Sequence, residues 1–418
     1  MMQSVFIRAR QLSWTEWALL FNALTIIHLN LVPYGIVFLA IAVLIDFLQK
    51  RVLIEVKIYS VIFLCIPFIV FCIGFINTEN FAKAFEDLGR ILPFILFPFL
   101  LIFTKSNTKL KQLLLHVFII GLLAYFLYHL TISFVLFCRD GAVSHFFYSS
   151  LVENTNSFSI FNMFAITALM EYFLKNSLAK SRHILVIATL FFLVLIQMQM
   201  QSRVMILVTL FSLILLFFIF WKRKKKWWVI CLLAFSVLLF QLPVFQGRFQ
   251  SGISQTNKIR TNVKLPINQD DAPMQVGDCN SSVSLRYLAL ISGYEIIVKH
   301  PIVGVGSGDW LDELVANYKK NNRLCNLKRK TAPHNQYLRI LIKHGLLGFS
   351  VFIFYFVFLF RTAIKEFQLS QVSFLFCLVF SSIGYDLMDG GATAPFVAFF
   401  ASILFLKSTN QISHKEGV

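Results

Sequence analysis

The chain is written in long apolar runs separated by short polar ones. Residues 57–75, 109–137, 183–200, 202–220, 227–243, 335–360 and 370–385 are continuous apolar stretches, and shorter or interrupted ones lie at 14–30, 33–48, 91–104, 155–174 and 391–406. A helix needs about 20 apolar residues to cross the hydrocarbon core of a bilayer. The runs are continuous rather than alternating, so they predict helices and not barrel strands. The expected fold is an all-α polytopic membrane protein with about twelve transmembrane helices.

One segment breaks the pattern. Residues 1–243 hold the first nine helices, 244–334 form a single large loop containing short helices, and 335–418 hold helices ten to twelve. Within the loop, 250–282 is rich in Ser, Asn, Asp, Gln and Pro and reads as irregular. Residues 283–299 regain helical periodicity, with Leu285, Leu288, Leu290, Ile291 and Ile296 apolar, and Pro301 ends that helix. A glycine-rich turn follows, Gly304-Val305-Gly306-Ser307-Gly308, and Asp309 is placed to cap a second helix running to about Tyr318. A basic stretch from Lys319 to Lys330 then leads to Pro333-His334-Asn335.

Composition changes the picture in two ways. The 418 residues are 58% hydrophobic and 14% charged, against about 25% charged in soluble domains, which excludes a soluble enzyme. The net charge of +18 is mostly a topology signal. With both termini cytoplasmic, that side carries 20 Lys and Arg, whereas the short external loops carry only Lys83, Arg90, Arg139 and Arg203. This is the positive-inside bias, and nucleic-acid binding is a poor explanation of it. The large loop then lies outside the cytoplasm. It holds 12 Lys and Arg against 7 Asp and Glu, an excess that the rule for short loops does not explain and that suits an anionic, lipid-linked substrate. No small-residue cleavage site follows the first apolar span, so no cleavable signal peptide is expected.

Three basic residues on the external side are candidates for chemistry. Arg203 follows the polar run Gln197 to Ser202 at the end of the seventh span, where it either snorkels to the interface or lines a cavity. Arg286 lies on the first loop helix, in a structural ion pair or facing a ligand. His334 sits at the membrane-proximal end of the loop, and His is the side chain best suited to proton transfer near neutral pH. The glycine run forms either a backbone nest for an anion or a tight turn between helices, and Trp310 beside it suits an interfacial anchor. Asp386 and Asp389 are placed to pair with an arginine or to orient His334. There is no Asp-x-Asp and no zinc-like cysteine spacing, so no metal is expected. Cys279 and Cys325 share the external loop, where an oxidising compartment permits a disulfide, although spacing alone does not set the pairing.

Together, Arg286, then His300-Pro301-Ile302-Val303-Gly304-Val305-Gly306-Ser307-Gly308-Asp309-Trp310, then Pro333-His334-Asn335-Gln336-Tyr337-Leu338 and Gly345-Leu346-Leu347-Gly348, resemble the O-antigen ligase and polymerase superfamily, which includes protein O-oligosaccharyltransferases. Ser202-Arg203 resembles its Ser-Arg element, although Gln-Met-Gln precedes it and Val-Met follows. Arg90 matches a basic family position. The resemblance implies a GT-C-like glycosyltransferase of the bacterial inner membrane with a periplasmic site and neither metal nor cofactor. Its donor would be an undecaprenyl pyrophosphate-linked glycan. Its acceptor would be the lipid A core in a ligase, another lipid-linked repeat unit in a polymerase, or a protein Ser or Thr. By that resemblance Arg203 and Arg286 bind pyrophosphate and His334 is the base, with Gly304, Gly306, Gly308, Asn335, Asp389 and Arg90 in support. A flippase or exporter is the non-enzyme alternative. It would place charges deep in several spans, whereas here Arg339 and Lys343 share one face of a single span.

Overall fold

Prolines and capping residues divide the apolar runs into helices. The computed structural model describes residues 12–49, 56–104, 108–146, 155–177, 179–200, 202–222, 227–241, 282–366 and 369–406. Helix α1 (Trp14–Thr25) opens on a capping box made by Ser13 and Glu16, and α2 (Val32–Leu48) carries Pro33 in its first turn. The start of α1 is joined to the end of α2 by Asp46, whose carboxylate accepts from the Thr15 backbone and hydroxyl at 2.9 and 2.6 Å. Helices α3 (Ile58–Leu64) and α4 (Ile66–Ile73) are one apolar run broken at Cys65, because Pro67 has no N–H to continue the ladder. An amphipathic helix α5 (Phe81–Ile91) leads into α6 (Pro93–Leu101). Then come α7 (Thr108–Asp140), α8 (Thr155–Lys175), α9 (Lys180–Gln199), α10 (Arg203–Ile219) and α11 (Trp227–Gln241). The loop supplies α12 (Ser282–Lys299), α13 (Trp310–Lys320) and α14 (Leu324–Arg329). Helices α15 (Gln336–Glu366), α16 (Leu369–Ser381) and α17 (Thr393–Phe405) complete the chain.

This is the all-helical architecture of a membrane protein. Among the described residues, Lys109–Asp140, Thr155–Lys175, Lys180–Gln199 and Gln336–Lys365 are long and apolar enough to cross a bilayer. The outward faces are apolar too: Phe47, Ile120, Phe134, Leu185, Leu207, Phe218, Leu238 and Phe354 are all exposed. Helix α8 is buried on nearly every side and sits inside the bundle. It is gripped by phenylalanines of its neighbours, with Phe161 against Phe396 at 4.4 Å and Phe164 against Phe400 at 4.9 Å between ring centroids. Its buried Asn162 donates to the Leu193 carbonyl and to Gln197 Oε1 of α9.

The loop residues that are described form a small domain with its own core: Ala289, Ile296, Val305, Trp310, Leu314 and Tyr318, packed on Ile342 of α15. Arg323 does not belong to a solvated basic surface. It is buried and holds α12 and α13 together through Glu295, at 2.6 Å, and Asn317, at 3.0 Å. Burial pushes the Tyr318 hydroxyl up to about 12, and that hydroxyl donates to the Thr331 carbonyl.

The glycine run joins this domain to the bundle. Helix α15 opens at Gly345, which lies at φ 58°, ψ −160°, a region essentially reserved for glycine. In an unbroken helix the N–H groups of Leu346 and Leu347 would donate to the carbonyls of Ile342 and Lys343. Instead they donate to Pro301 and Ile302 at 2.8 and 3.1 Å, and the vacated carbonyls accept from Val305 and Gly306, both at 2.9 Å. The segment 301–306 is thus spliced into the ladder of α15. The next residues cap α4: the Ser307 N–H donates to Gly74 O, its hydroxyl donates to Phe71 O, and Gly308 N–H donates to the Thr78 hydroxyl.

A Cβ at Gly304 would lie 2.5 Å from the backbone of Lys343 and His344, and one at Gly345 would lie 2.3 Å from Ile302 O. Gly304→Ala and Gly345→Ala are therefore each expected to destabilise the protein by about 2 kcal/mol or more, read as a lower thermal midpoint in detergent. Gly89→Ala, in open space within α5, should be neutral or stabilising by up to about 1 kcal/mol.

Candidate active site

The first half of α15 carries two cations four residues apart, Arg339 and Lys343, which are 7% and 1% exposed. Charges so placed need partners. The turn between α16 and α17 provides them. Arg339 Nη2 lies 2.8 Å from Asp386 Oδ2 and Nη1 lies 3.8 Å from Asp389, while Lys343 Nζ lies 3.2 Å from Asp389 Oδ1. Asp87 of α5 adds a third carboxylate 3.9 Å from Lys343, and also meets Lys83 and Arg90 at 3.2 and 3.0 Å. Trp310 closes the cluster. Its ring lies 4.2 Å below the Arg339 guanidinium and its Nε1 donates to Asp87. Burial alone would raise the Asp389 carboxyl, but Lys343 and Arg339 hold it below its ordinary value.

His334 stands at the edge of this cluster. Asn335 caps α15, its side chain accepting from the Leu338 N–H at 2.9 Å, and its Nδ2 donates to Ile383 O. Gln336 then locks onto the same turn: its N–H donates to Ser382 O and its Oε1 accepts from the Met388 N–H. Between the cap and buried Pro333 the backbone of His334 is left-handed, at φ 48°. This strain is of order 1–3 kcal/mol, and it presents the imidazole outward, 45% exposed, with Nδ1 3.6 Å from Asp386 Oδ2. Asp386 therefore faces a buried arginine and an exposed histidine at once.

The same turn collects Arg203. The Ser202 hydroxyl does not cap its own helix; it bonds the Tyr385 hydroxyl at 2.6 Å, which in turn donates to Asn156 Oδ1 at 2.9 Å. Val204 packs on Gly384. Half-buried Arg203, the first residue of α10, is thus one position from a direct contact with the turn that holds Asp386. Arg286 reaches this end of the molecule by register. Helix α12 runs parallel to α15, with Gly293 against Leu338 and Ile342 and Pro301 bonded to Leu346. Two turns before Gly293, Arg286 is carried towards the level of His334. Arg90, paired with Glu86 and Asp87, joins the cluster from α5 through Asp87.

Several expectations are corrected. The glycine run is not an anion nest, because the N–H groups of residues 305–308 are spent on Ile342, Lys343, Gly74 and Thr78. Trp310 is 5% exposed and is a floor for cations, not an interfacial anchor. Asp309 makes no side-chain cap for α13; its carboxylate accepts from the backbone of Glu79 and Asn80, clamping the start of α5. Cys325 is disulfide-bonded, and its expected partner Cys279 lies outside the described residues. Sequence reasoning missed Asp87 and Tyr385, which no local pattern marks. The pairing of Arg339 and Lys343 with Asp386 and Asp389 did leave a signal: two cations four apart inside a span require anions, and two carboxylates three apart stand in the next external turn.

Asp389→Asn should cost about 3–5 kcal/mol, since it removes the carboxylate nearest to buried Lys343. The double variant with Lys343→Met should regain part of that loss, measured as the thermal midpoint of the purified protein in detergent.

No curated protein matches the chain. Residues 184–353 match the family model described as O-antigen ligase, a stretch from α9 to the middle of α15 that contains Arg203, Arg286, the spliced glycine run, His334, Arg339 and Lys343. The match agrees with the resemblance to the O-antigen ligase and polymerase superfamily that the loop motifs carry.

Proposed function

We propose that the chain is an O-antigen ligase, transferring a glycan from undecaprenyl pyrophosphate to the lipid A core at the periplasmic face of the inner membrane. The observation that carries this reading is one turn, residues 382–389, that holds His334, Arg339 and the Ser202–Arg203 helix start together at one end of the bundle. Two guanidinium groups, Arg203 and Arg286, bind the donor pyrophosphate, each through paired hydrogen bonds to its oxygens. His334 takes the proton from the acceptor hydroxyl as that oxygen bonds to the anomeric carbon. The bond from that carbon to the pyrophosphate oxygen breaks, and its electron pair leaves with the pyrophosphate, whose charge the arginines stabilise. Direct displacement inverts the anomeric centre and needs no metal. Asp386 stabilises the imidazolium formed in this step.

A polymerase, with a lipid-linked repeat as acceptor, and a protein O-oligosaccharyltransferase would use the same groups. An exporter fits less well, because Arg339 and Lys343 are held by carboxylates of the same turn.

His334→Ala should lower transfer by about 10²–10⁴-fold, and Arg286→Ala should abolish it, both at unchanged protein level. Normal transfer by His334→Ala would remove the base assignment. Deleting the gene and running lipopolysaccharide on a gel separates the acceptors. A ligase leaves bare core with polymer stranded on the carrier, and a polymerase leaves core bearing one repeat. Intact lipopolysaccharide with underglycosylated proteins marks the protein transferase.

A further inference from the structure

A cavity of about 240 Å³ lies at the other end of the bundle. Helix α8 links the two ends: Asn156 touches Tyr385 beside the candidate active site, whereas Glu171 lines this cavity. Fifteen residues of helix separate them, roughly 22 Å. The cavity belongs to the side that the Lys and Arg bias assigns to the cytoplasm.

Its walls are graded. Towards the helix ends stand Lys111 of α7 and Glu171 and Lys175 of α8; further into the bundle the lining becomes apolar, with Ile119, Ala168 and Leu169. Glu171 is 6% exposed. Its carboxylate meets Lys175 Nζ, 2.6 Å from Oε1, and the Ser370 backbone N–H, while its buried Oε2 makes no hydrogen bond of ordinary geometry. A buried carboxylate oxygen in that state calls for a donor. Lys111 donates to the Leu404 carbonyl at the rim, next to that oxygen's cavity. The site thus offers cations and an unsatisfied anion side by side, above an apolar slot.

We propose that this cavity holds a membrane phospholipid whose headgroup carries both a primary ammonium and a phosphate, of the ethanolamine type. The ammonium donates to Glu171 Oε2, the phosphate pairs with Lys111 and Lys175, and an acyl chain follows Ile119 and Leu169. A purely anionic headgroup would bring negative charge against Glu171 with no cation of its own to offset it, offering that oxygen at most a neutral hydroxyl. A choline headgroup has no N–H to give it.

The test presents the delipidated full chain in detergent with phosphatidylethanolamine, phosphatidylglycerol and phosphatidylcholine of identical acyl chains, and counts retained lipid by native mass spectrometry. Phosphatidylethanolamine should be retained over both others, and Glu171→Gln should lower its retention roughly tenfold. Lys111→Gln, which leaves the Glu171 pair intact, should lower it too. Equal retention of the three lipids, a preference for phosphatidylglycerol, or unchanged retention in either variant overturns the proposal. So does soluble phosphoethanolamine raising the thermal midpoint as far as the lipid does, because the apolar slot would then have no part in binding.

Discussion

The exchange of hydrogen bonds at Gly345 is the constraint on which the rest of this molecule depends. A helix that opens its ladder ordinarily loses bonds. Here two carbonyls and two N–H groups freed in α15 are all taken up by residues 301–306, so the kink is closed without an orphaned backbone group. The exchange requires backbones closer than any side chain permits, which is why glycine stands at 304 and 345. It also ties three parts of the chain, α4, the loop domain and α15, into one block.

That block decides where the charges go. Because the loop enters α15 just after Lys343, Trp310 is delivered under Arg339 and Lys343, and α5 is brought in through Asp309 and Asp87. The buried cluster is then a fixed scaffold rather than a reactive one: its cations and its carboxylates are paired with one another. His334 at its rim inherits that rigidity while staying accessible.

The two ends of the bundle are built on different principles. At the end bearing the loop, polar groups are consumed by one another and backbone strain is concentrated at His334. At the far end, a carboxylate oxygen is left without a partner beside two lysines. The first arrangement presents a few groups to a reacting molecule; the second has the composition of a receptor for an amphiphile.

The sequence by itself determined the helical, apolar-surfaced character of the chain and the bounds of the helix Ser282–Lys299, because these rest on local hydropathy and period. It also marked Arg203, Arg286, His334 and the glycine run, through a motif pattern matched by the family model over 184–353. What the glycines do was decided only in the tertiary structure, since a ladder exchange between residues 301–306 and 342–347 has no local signature. The same holds for Asp87, which reaches Lys343 from more than 250 residues away in the chain, and for Trp310 and Asp309, whose partners lie on other helices. Burying a charge in a membrane bundle demands a counter-charge, and hydropathy announces that demand; which carboxylate answers it depends on helix packing, which no single stretch of chain encodes.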